Sequence, residues 1–240
     1  MRSLSSIHPS HFGLVKGAKS VRKVPRFSKT LAYRGFSASK KARGETRFNS
    51  LLERDLHTLL EVDPNVASFA VEPHKLTYFL STPSGGVEKR EYTPDVVVSD
   101  RRGNISVIDA KASFFRSKSQ WREKEPVIRQ AYEQDHGVKF QVLTERQIRA
   151  QPRLGNCQII LIHSRGPIDV SLDLQLREIL GASGPVSISE LQNLVGRGES
   201  GDLRGRVFSA VMALVARGVA HIELGVPLSM ASVISEILTP

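Results

Sequence analysis

Tyr92-Thr93-Pro94-Asp95 and Asp109-Ala110-Lys111 place two carboxylates and an ammonium in segments that both read as extended chain. Between them, Asp100-Arg101-Arg102-Gly103-Asn104 supplies residue types that tolerate left-handed turn geometry, so the two segments are expected to form a hairpin. If residues 100 to 104 close symmetrically about 102, Asp95 falls opposite Asp109 and Val97 opposite Val107. Directly paired residues hold their Cβ atoms about 4.5–5.5 Å apart, where two like charges repel. A divalent cation removes that repulsion, and Mg²⁺ is commonly held by one or two carboxylates together with water and a substrate phosphate. Mn²⁺ is the expected substitute. Lys111, two residues beyond Asp109, shares its sheet face and sits where such a phosphate would lie. Two acids, a metal and a lysine suit phosphodiester hydrolysis, which needs a nucleophile at neutral pH and cover for charge on the transition-state oxygens. The alternative on pattern alone is a pair of surface acids near a hairpin tip.

A third acid stands upstream. Ser50-Leu51-Leu52-Glu53 opens a segment in which Leu52, Leu56, Leu59 and Leu60 recur at helical spacing until Asp63-Pro64 stops it. Glu53 lies one turn before Leu56, bordering the face expected to pack on the sheet, within reach of a metal shell. Ser50-x-x-Glu53 is also the spacing of a capping box, and spacing alone favours capping.

The elements that must position these groups follow from the apolar pattern. After the helix, strands are expected over 66–71, 75–80 and 87–99, the last with the run Val96-Val97-Val98, and a returning strand over 105–112. Val96, Val98 and Ile108 form an apolar face that would pack under helices. A charged helix over 120–136 ends at Gly137, a strand covers 138–143, and a helix starts at Thr144 to Ile148. Periodicity does not assign Cys157 to Ile162. Helices are then expected over 172–180, 188–195 and 202–217, the last closed by Gly218, with a strand over 219–224. This C-terminal order resembles a winged helix-turn-helix, with 202–217 in the recognition position.

At 240 residues, 40% apolar and 24% charged, the chain is neither disordered nor low in complexity, and it lacks an apolar run near the roughly 20 residues that cross a bilayer. Its single cysteine, Cys157, cannot close an internal disulfide or supply a four-ligand zinc site, and implies a reducing compartment. The net charge of +10 is unevenly spread: residues 1 to 50 hold 12 Lys and Arg against one acid, Glu45. That segment reads as a poorly packed basic arm suited to phosphates, although a targeting peptide has similar composition.

Pro94-Asp95, a gap, then Asp109-x-Lys111, in helix, strands, helix, strand order, resembles the PD-(D/E)xK restriction-endonuclease-like nucleases over residues 50 to 150. A wider string, Ser50-Leu-Leu-Glu-Arg-Asp55, Asp63-Pro64-Asn-Val66, Tyr92-Thr-Pro-Asp95, Ile108-Asp-Ala-Lys111 and Phe140-Gln-Val-Leu-Thr-Glu145, is similar to the TnsA-type transposon endonucleases. The resemblance implies an α/β restriction-endonuclease-like core, a mixed sheet flanked by helices, over 49–165. A basic arm over 1–48 precedes it and a winged-helix interaction domain over 166–240 follows. It implies a Mg²⁺-dependent endonuclease subunit of a heteromeric transposase, cutting double-stranded DNA at the 5′ ends of a transposon. A DDE transposase subunit (TnsB-like) would cut the 3′ ends and an AAA ATPase regulator (TnsC-like) would contact the C-terminal region. The setting would be the bacterial cytoplasm, on the nucleoid when DNA is bound, without a membrane. Residue by residue, the family's helix glutamate falls on Glu53, its Pro-Asp aspartate on Asp95, its metal-proximal polar residue on Asp109 and its lysine on Lys111. Ala110 joins Glu53, Asp95 and Asp109 in the metal set, with a second metal implied. Asp109 stands where this family more often has a glutamine. Two other readings stay open: a non-catalytic assembly protein bridging the transposase and the ATPase, and a free-standing restriction or repair nuclease.

Residues 101 to 150 hold eleven bases against six acids, and Arg116, Lys118, Arg122 and Lys124 follow the catalytic strand closely enough to line a DNA path. Residues 171 to 240 hold five bases against seven acids. There Arg204, Arg206 and Arg217 are expected to serve a protein-docking module rather than DNA. Trp121 is expected in the core or at a hinge. The seven histidines show no zinc spacing, and Gly85-Gly86 and Gly196-Arg-Gly198 read as turn or wing signals, not phosphate loops.

Overall fold

The computed structural model describes residues 9–22, 33–82, 85–196 and 201–237. The chain is α/β, with a mixed sheet flanked by helices, and divides into two units: residues up to His57 with Val66–Ile148, and Thr58–Asn65 with everything from Arg149 onward.

In the first unit, β1 (Gly35–Phe36) and β2 (Arg47–Phe48) form a short antiparallel ribbon ahead of α1 (Leu51–Val62). There follow β3 (Val66–Val71), β4 (Leu76–Ser81), β5 (Val87–Tyr92), β6 (Val96–Asp100) and β7 (Ile105–Ala110). Next come α2 (Ser113–Arg116), α3 (Ser119–Gln130), a π-helical turn (Ala131–Asp135) and β8 (Lys139–Leu143). The main sheet runs β3-β6-β7-β8, antiparallel except for the last pair, while β4 and β5 form a separate ribbon.

The hairpin has the expected register, Val97 opposite Val107 and Val96 opposite Ile108. Its turn is locked by the Asp100 carboxylate, which accepts from the N–H groups of Arg102 and Asn104, each at 2.8 Å, and by Gly103 at φ 84°. Val97 and Val107 are buried in one cluster with Trp121, Ile128 and Tyr132 of the helical layer, whereas Val96, Val98 and Ile108 are buried from the opposite face. On the α1 side, the ring of His57 lies 5.8 Å from that of Phe69.

Three expectations are corrected. The segment 87–99 is two strands in different sheets, because Pro94 has no N–H for a ladder and the Asp95 N–H goes to a side chain. The arm is not poorly packed where it is described: Phe12, Leu14 and Ala18 enter the first core, Ala18 and Gly44 form a parallel bridge, and Ala42 bridges to Phe69. At Gly44 a Cβ would stand 1.9 Å from the Ala18 carbonyl oxygen, so only glycine permits that approach. Residues 1–8 and 23–32 of the arm lie outside the described residues. Finally, the division falls after Ile148, the last residue of α4 (Glu145–Ile148), not at 165.

The second unit explains that shift. The unassigned run belongs to α5 (Arg153–His163), whose Leu154, Cys157 and Ile160 are buried, the last two in one cluster with residues of α6 (Val170–Ser183), α7 (Ile188–Val195) and α8 (Gly201–Ala216). Asp169 caps α6 through the Leu172 N–H, a Ser187–Glu190 capping box starts α7, and Gly218 at φ 67° follows α8. The expected strand over 219–224 is β10 (Ala220–Ile222), joined by two strands not anticipated, β9 (Val186–Ser187) and β11 (Val233–Glu236), in antiparallel order β10-β11-β9. The wing signal at Arg197 and Gly198 lies outside the described residues. Among the described residues no helix is long and apolar enough to cross a membrane.

Candidate active site

The open end of the β6–β7 hairpin is where the chemistry gathers. Extending the register by one step sets Asp95 against Asp109, and both side chains are buried. Two hydrogen bonds fix them: the Asp95 N–H donates to Asp109 Oδ1 at 3.1 Å and the Ala110 N–H to Asp95 Oδ2 at 2.9 Å. Each carboxylate thus spends one oxygen on the backbone. A polar pocket of about 260 Å³ opens on the pair, lined also by Arg22, Glu53, Tyr92, Ala110, Lys111, Trp121 and Lys124. The four residues assigned from sequence to catalysis therefore line one pocket.

Electrostatics in this pocket favour a cation. Burial, then the charges of Asp109 and Glu53, push the Asp95 carboxyl well above its ordinary range, against Lys111 and the Ala110 N–H, which pull it down. The Tyr92 hydroxyl is buried beside Asp109, and burial, followed by the charges of Asp109 and Asp95 and a hydrogen bond with Asp109, holds this phenol up as well. Four carboxylates line one pocket; the exposed Glu91 is ion-paired with Lys75, and the other three, Glu53, Asp95 and Asp109, form an oxygen donor set that suits a hard divalent ion. Against that, among the described residues no group of three His, Cys, Asp or Glu side chains closes tightly enough to hold a metal by itself.

Glu53 is engaged at the start of α1, although the backbone N–H it receives is that of Asn49 and not the Ser50 N–H of a full capping box. Its carboxylate accepts from the Asn49 N–H at 2.7 Å and the Ser50 hydroxyl at 3.0 Å, and the Ser50 Oγ accepts the Glu53 N–H at 3.2 Å. Burial still raises its pKa, ahead of the lowering by those hydrogen bonds. It lines the pocket while held at the start of α1.

Lys111 and Lys124 both line the pocket and stand over Trp121, their Nζ atoms 4.6 and 4.7 Å from its ring centre. Trp121 is buried, as expected of a core residue, and its Nε1 donates to Glu125 at 2.7 Å. An adjoining hollow of about 450 Å³, lined by Glu53, Lys111, Phe115, Lys118 and Lys124, continues toward α2. There the Phe114 and Phe115 rings are 69% and 53% exposed, and Lys118 Nζ stands 4.8 and 5.0 Å from their centres. Arg116 and Arg122 are placed differently. Arg116 grips Glu125 through both edges, at 3.0 and 2.7 Å, and Arg122 lines a separate hollow with Glu125, Arg129 and Glu133.

One part of the pocket was not read from the sequence. Glu72, fully buried at φ 45°, receives Arg22 Nε at 2.9 Å, Arg47 Nη2 at 3.1 Å, Asn49 Nδ2 at 3.1 Å and Ser20 Oγ at 2.5 Å. Its own N–H donates to the Asp95 carbonyl at 2.9 Å. Arg22 also donates to the Thr93 carbonyl at 3.3 Å and stands 3.7 Å from Asp95 Oδ1. The one local hint was a charged residue between a strand and Pro73.

Neither a protein-family model nor a curated protein sequence matches the chain.

Proposed function

We propose that this chain is a Mg²⁺-dependent DNA endonuclease subunit of a heteromeric transposase, hydrolysing phosphodiester bonds at the 5′ ends of a transposon. The observation that carries the nuclease part is the pairing of Asp95 with Asp109 across one hairpin, with Lys111 two residues on, in a pocket rimmed by lysines. The transposon part rests on the likeness of the sequence string to TnsA-type endonucleases. In this reading the sheet and flanking helices are a restriction-endonuclease-like core and the C-terminal unit is a winged helix that docks a DDE transposase or an AAA ATPase. Its Arg206 and Arg217 are paired with Asp169 and Asp173, which favours protein contact over phosphate contact.

Asp95 and Asp109 would hold the metal through the oxygens not given to backbone N–H groups, with Glu53 and Ala110 at its margin. The ion, when bound, lowers the pKa of a coordinated water and polarises the phosphate. Lys111, beside Asp109, orients the phosphate and covers charge that develops on its oxygens. Lys124, whose ammonium is destabilised by burial and by Lys111, gains when a phosphate enters. Lys118 and the exposed phenyl rings of α2 extend the surface along the duplex.

Calorimetric titration with Mg²⁺ or Mn²⁺ tests the site without partners: binding to the wild type is expected to vanish in the Asp95→Ala, Asp109→Ala double variant. With the partner proteins and transposon-end DNA supplied, Lys111→Ala should slow cleavage by about 10²–10³. A second reading, an assembly protein on a nuclease-like scaffold, is favoured by one observation, the engagement of Glu53 at the start of α1. It wins if the double variant binds metal as the wild type does, or supports full transposition.

A further inference from the structure

We propose that Arg22, supplied by the segment ahead of the nuclease core, is a phosphate-binding residue of the active site, and that the buried Glu72 is the residue that positions it. This rests on the nuclease reading above and adds to it a group that neither the motif nor the basic stretch after β7 contains.

The argument begins with Glu72. A carboxylate is rarely buried unless paired, and a non-glycine residue at positive φ carries backbone strain that its surroundings must outweigh. Here they do so with two guanidiniums, an amide and a hydroxyl, all converging on one side chain. Two arginines on one glutamate leave a surplus positive charge. The surplus points at the pocket, since Arg22 lines it and Arg47 does not.

The geometry of Arg22 decides between two roles. Its tight contact is Nε to Glu72 at 2.9 Å; its approach to Asp95 is loose, Nη2 to Oδ1 at 3.7 Å. A plug filling the cation position would be held by the catalytic carboxylate. This guanidinium is instead held from behind through Nε and steadied by the Thr93 carbonyl, to which Nη2 donates at 3.3 Å; Arg22 lines the pocket with its side chain 39% exposed, which leaves the rest of its Nη edge for a ligand. Such an edge matches a phosphate, which arginine binds through paired N–H donors. With a divalent ion on Asp95 and Asp109, a backbone phosphate drawn to that ion would meet Arg22 on one flank and Lys111 on the other.

The test compares wild type, Arg22→Ala and Arg22→Lys in two measurements. One is Mg²⁺ titration calorimetry. The other is fluorescence anisotropy with a labelled duplex over a KCl series. Arg22→Ala is expected to weaken duplex binding by about tenfold and to reduce the slope of log K against log salt by about 0.9, the share of one phosphate contact, while Mg²⁺ binding is kept or is tightened by the loss of a nearby positive charge. Arg22→Lys should recover the slope and only part of the affinity. Tighter Mg²⁺ binding by Arg22→Ala, with duplex affinity kept or raised, would make Arg22 a plug and overturn the proposal. A lowered melting temperature with unchanged slope would make it merely structural and overturn it equally. A wild type that binds metal and duplex while the variants match it removes the clamp alone; a wild type that binds neither removes the nuclease reading and the clamp together.

Discussion

Buried polar side chains in the first unit divide into those that meet an opposite charge and those that do not, and the difference sets how the protein responds to acid. His57 is of the second kind: its ring packs by Phe69, its Nδ1 lies 3.2 Å from the Ser37 hydroxyl, and burial lowers its pKa from 6.5 to about 4. The unfolded chain therefore takes up a proton between those values that the folded chain refuses. Stability from His57 is complete above pH 6.5 and is lost as pH falls toward 4, an effect on the order of 3 kcal/mol. Urea midpoints measured from pH 7 to 4 should fall steadily, and His57→Gln should flatten that fall without abolishing it, since burial lowers His74 to about 4 as well. An identical slope in the variant would mean that His57 is hydrated in the native state. At this scale the sequence was legible where chemistry is local. Asp95 against Asp109 follows from a five-residue turn and the period of a strand, and Glu53 to Ser50 from one helical turn. Glu72 with Arg22 was not legible, because fifty residues separate the pair and only the folded sheet brings them together.

The elements carry function through what they leave uncovered. Helix α2 is a single turn, too short to bury a face, and its two phenyl rings stand exposed beside the pocket with Lys118 over both. If they stack on bases left unpaired near the cleavage site, replacing both by alanine should weaken binding of a duplex with a frayed end by about tenfold or more, since stacking contributes about 1–3 kcal/mol per base. Mg²⁺ affinity and the salt slope should stay as they are, because no charge is removed. An altered slope would mean that the rings act by holding Lys118, not by touching bases. Strand order shows where reading by element stops. The hairpin was legible from Asp100 to Asn104 and the alternation around it, but the break at Thr93-Pro94 depends on which sheet each half joins. β4 and β5 pair with one another, leaving β6 to the centre of the main sheet. The partner of Arg116 was not legible for a related reason: its place after β7 suggested DNA, and Glu125, nine residues on, returns along α3 to meet it.

For the whole molecule, the position of the domain boundary is a physical statement about which apolar residues need each other. The helical pattern of the C-terminal part was read from Leu172 onward, but packing changes near 148, because Cys157 and Ile160 of α5 are buried in one cluster with Leu176, Ile188, Val211 and Ile234. Val62, from the last turn of α1, belongs to the same cluster. Removing α5 strips buried side chains from that core at about 2–5 kcal/mol for each large one lost, more than a unit of this size can spare. A fragment of residues 166–240 is therefore expected to melt without a cooperative transition and to bind a dye for exposed apolar surface, whereas residues 149–240 should regain a sigmoidal melt by circular dichroism. Adding a peptide of residues 51–65 to the longer fragment should raise its midpoint further, since Leu59 and Val62 then find their places. A cooperative melt of the shorter fragment would put the boundary back at 165 and make α5 a linker. The outcome also bears on the proposed function, because a C-terminal unit that docked other proteins would need a core of its own, and the cluster built on α5 and α8 is the one that would supply it.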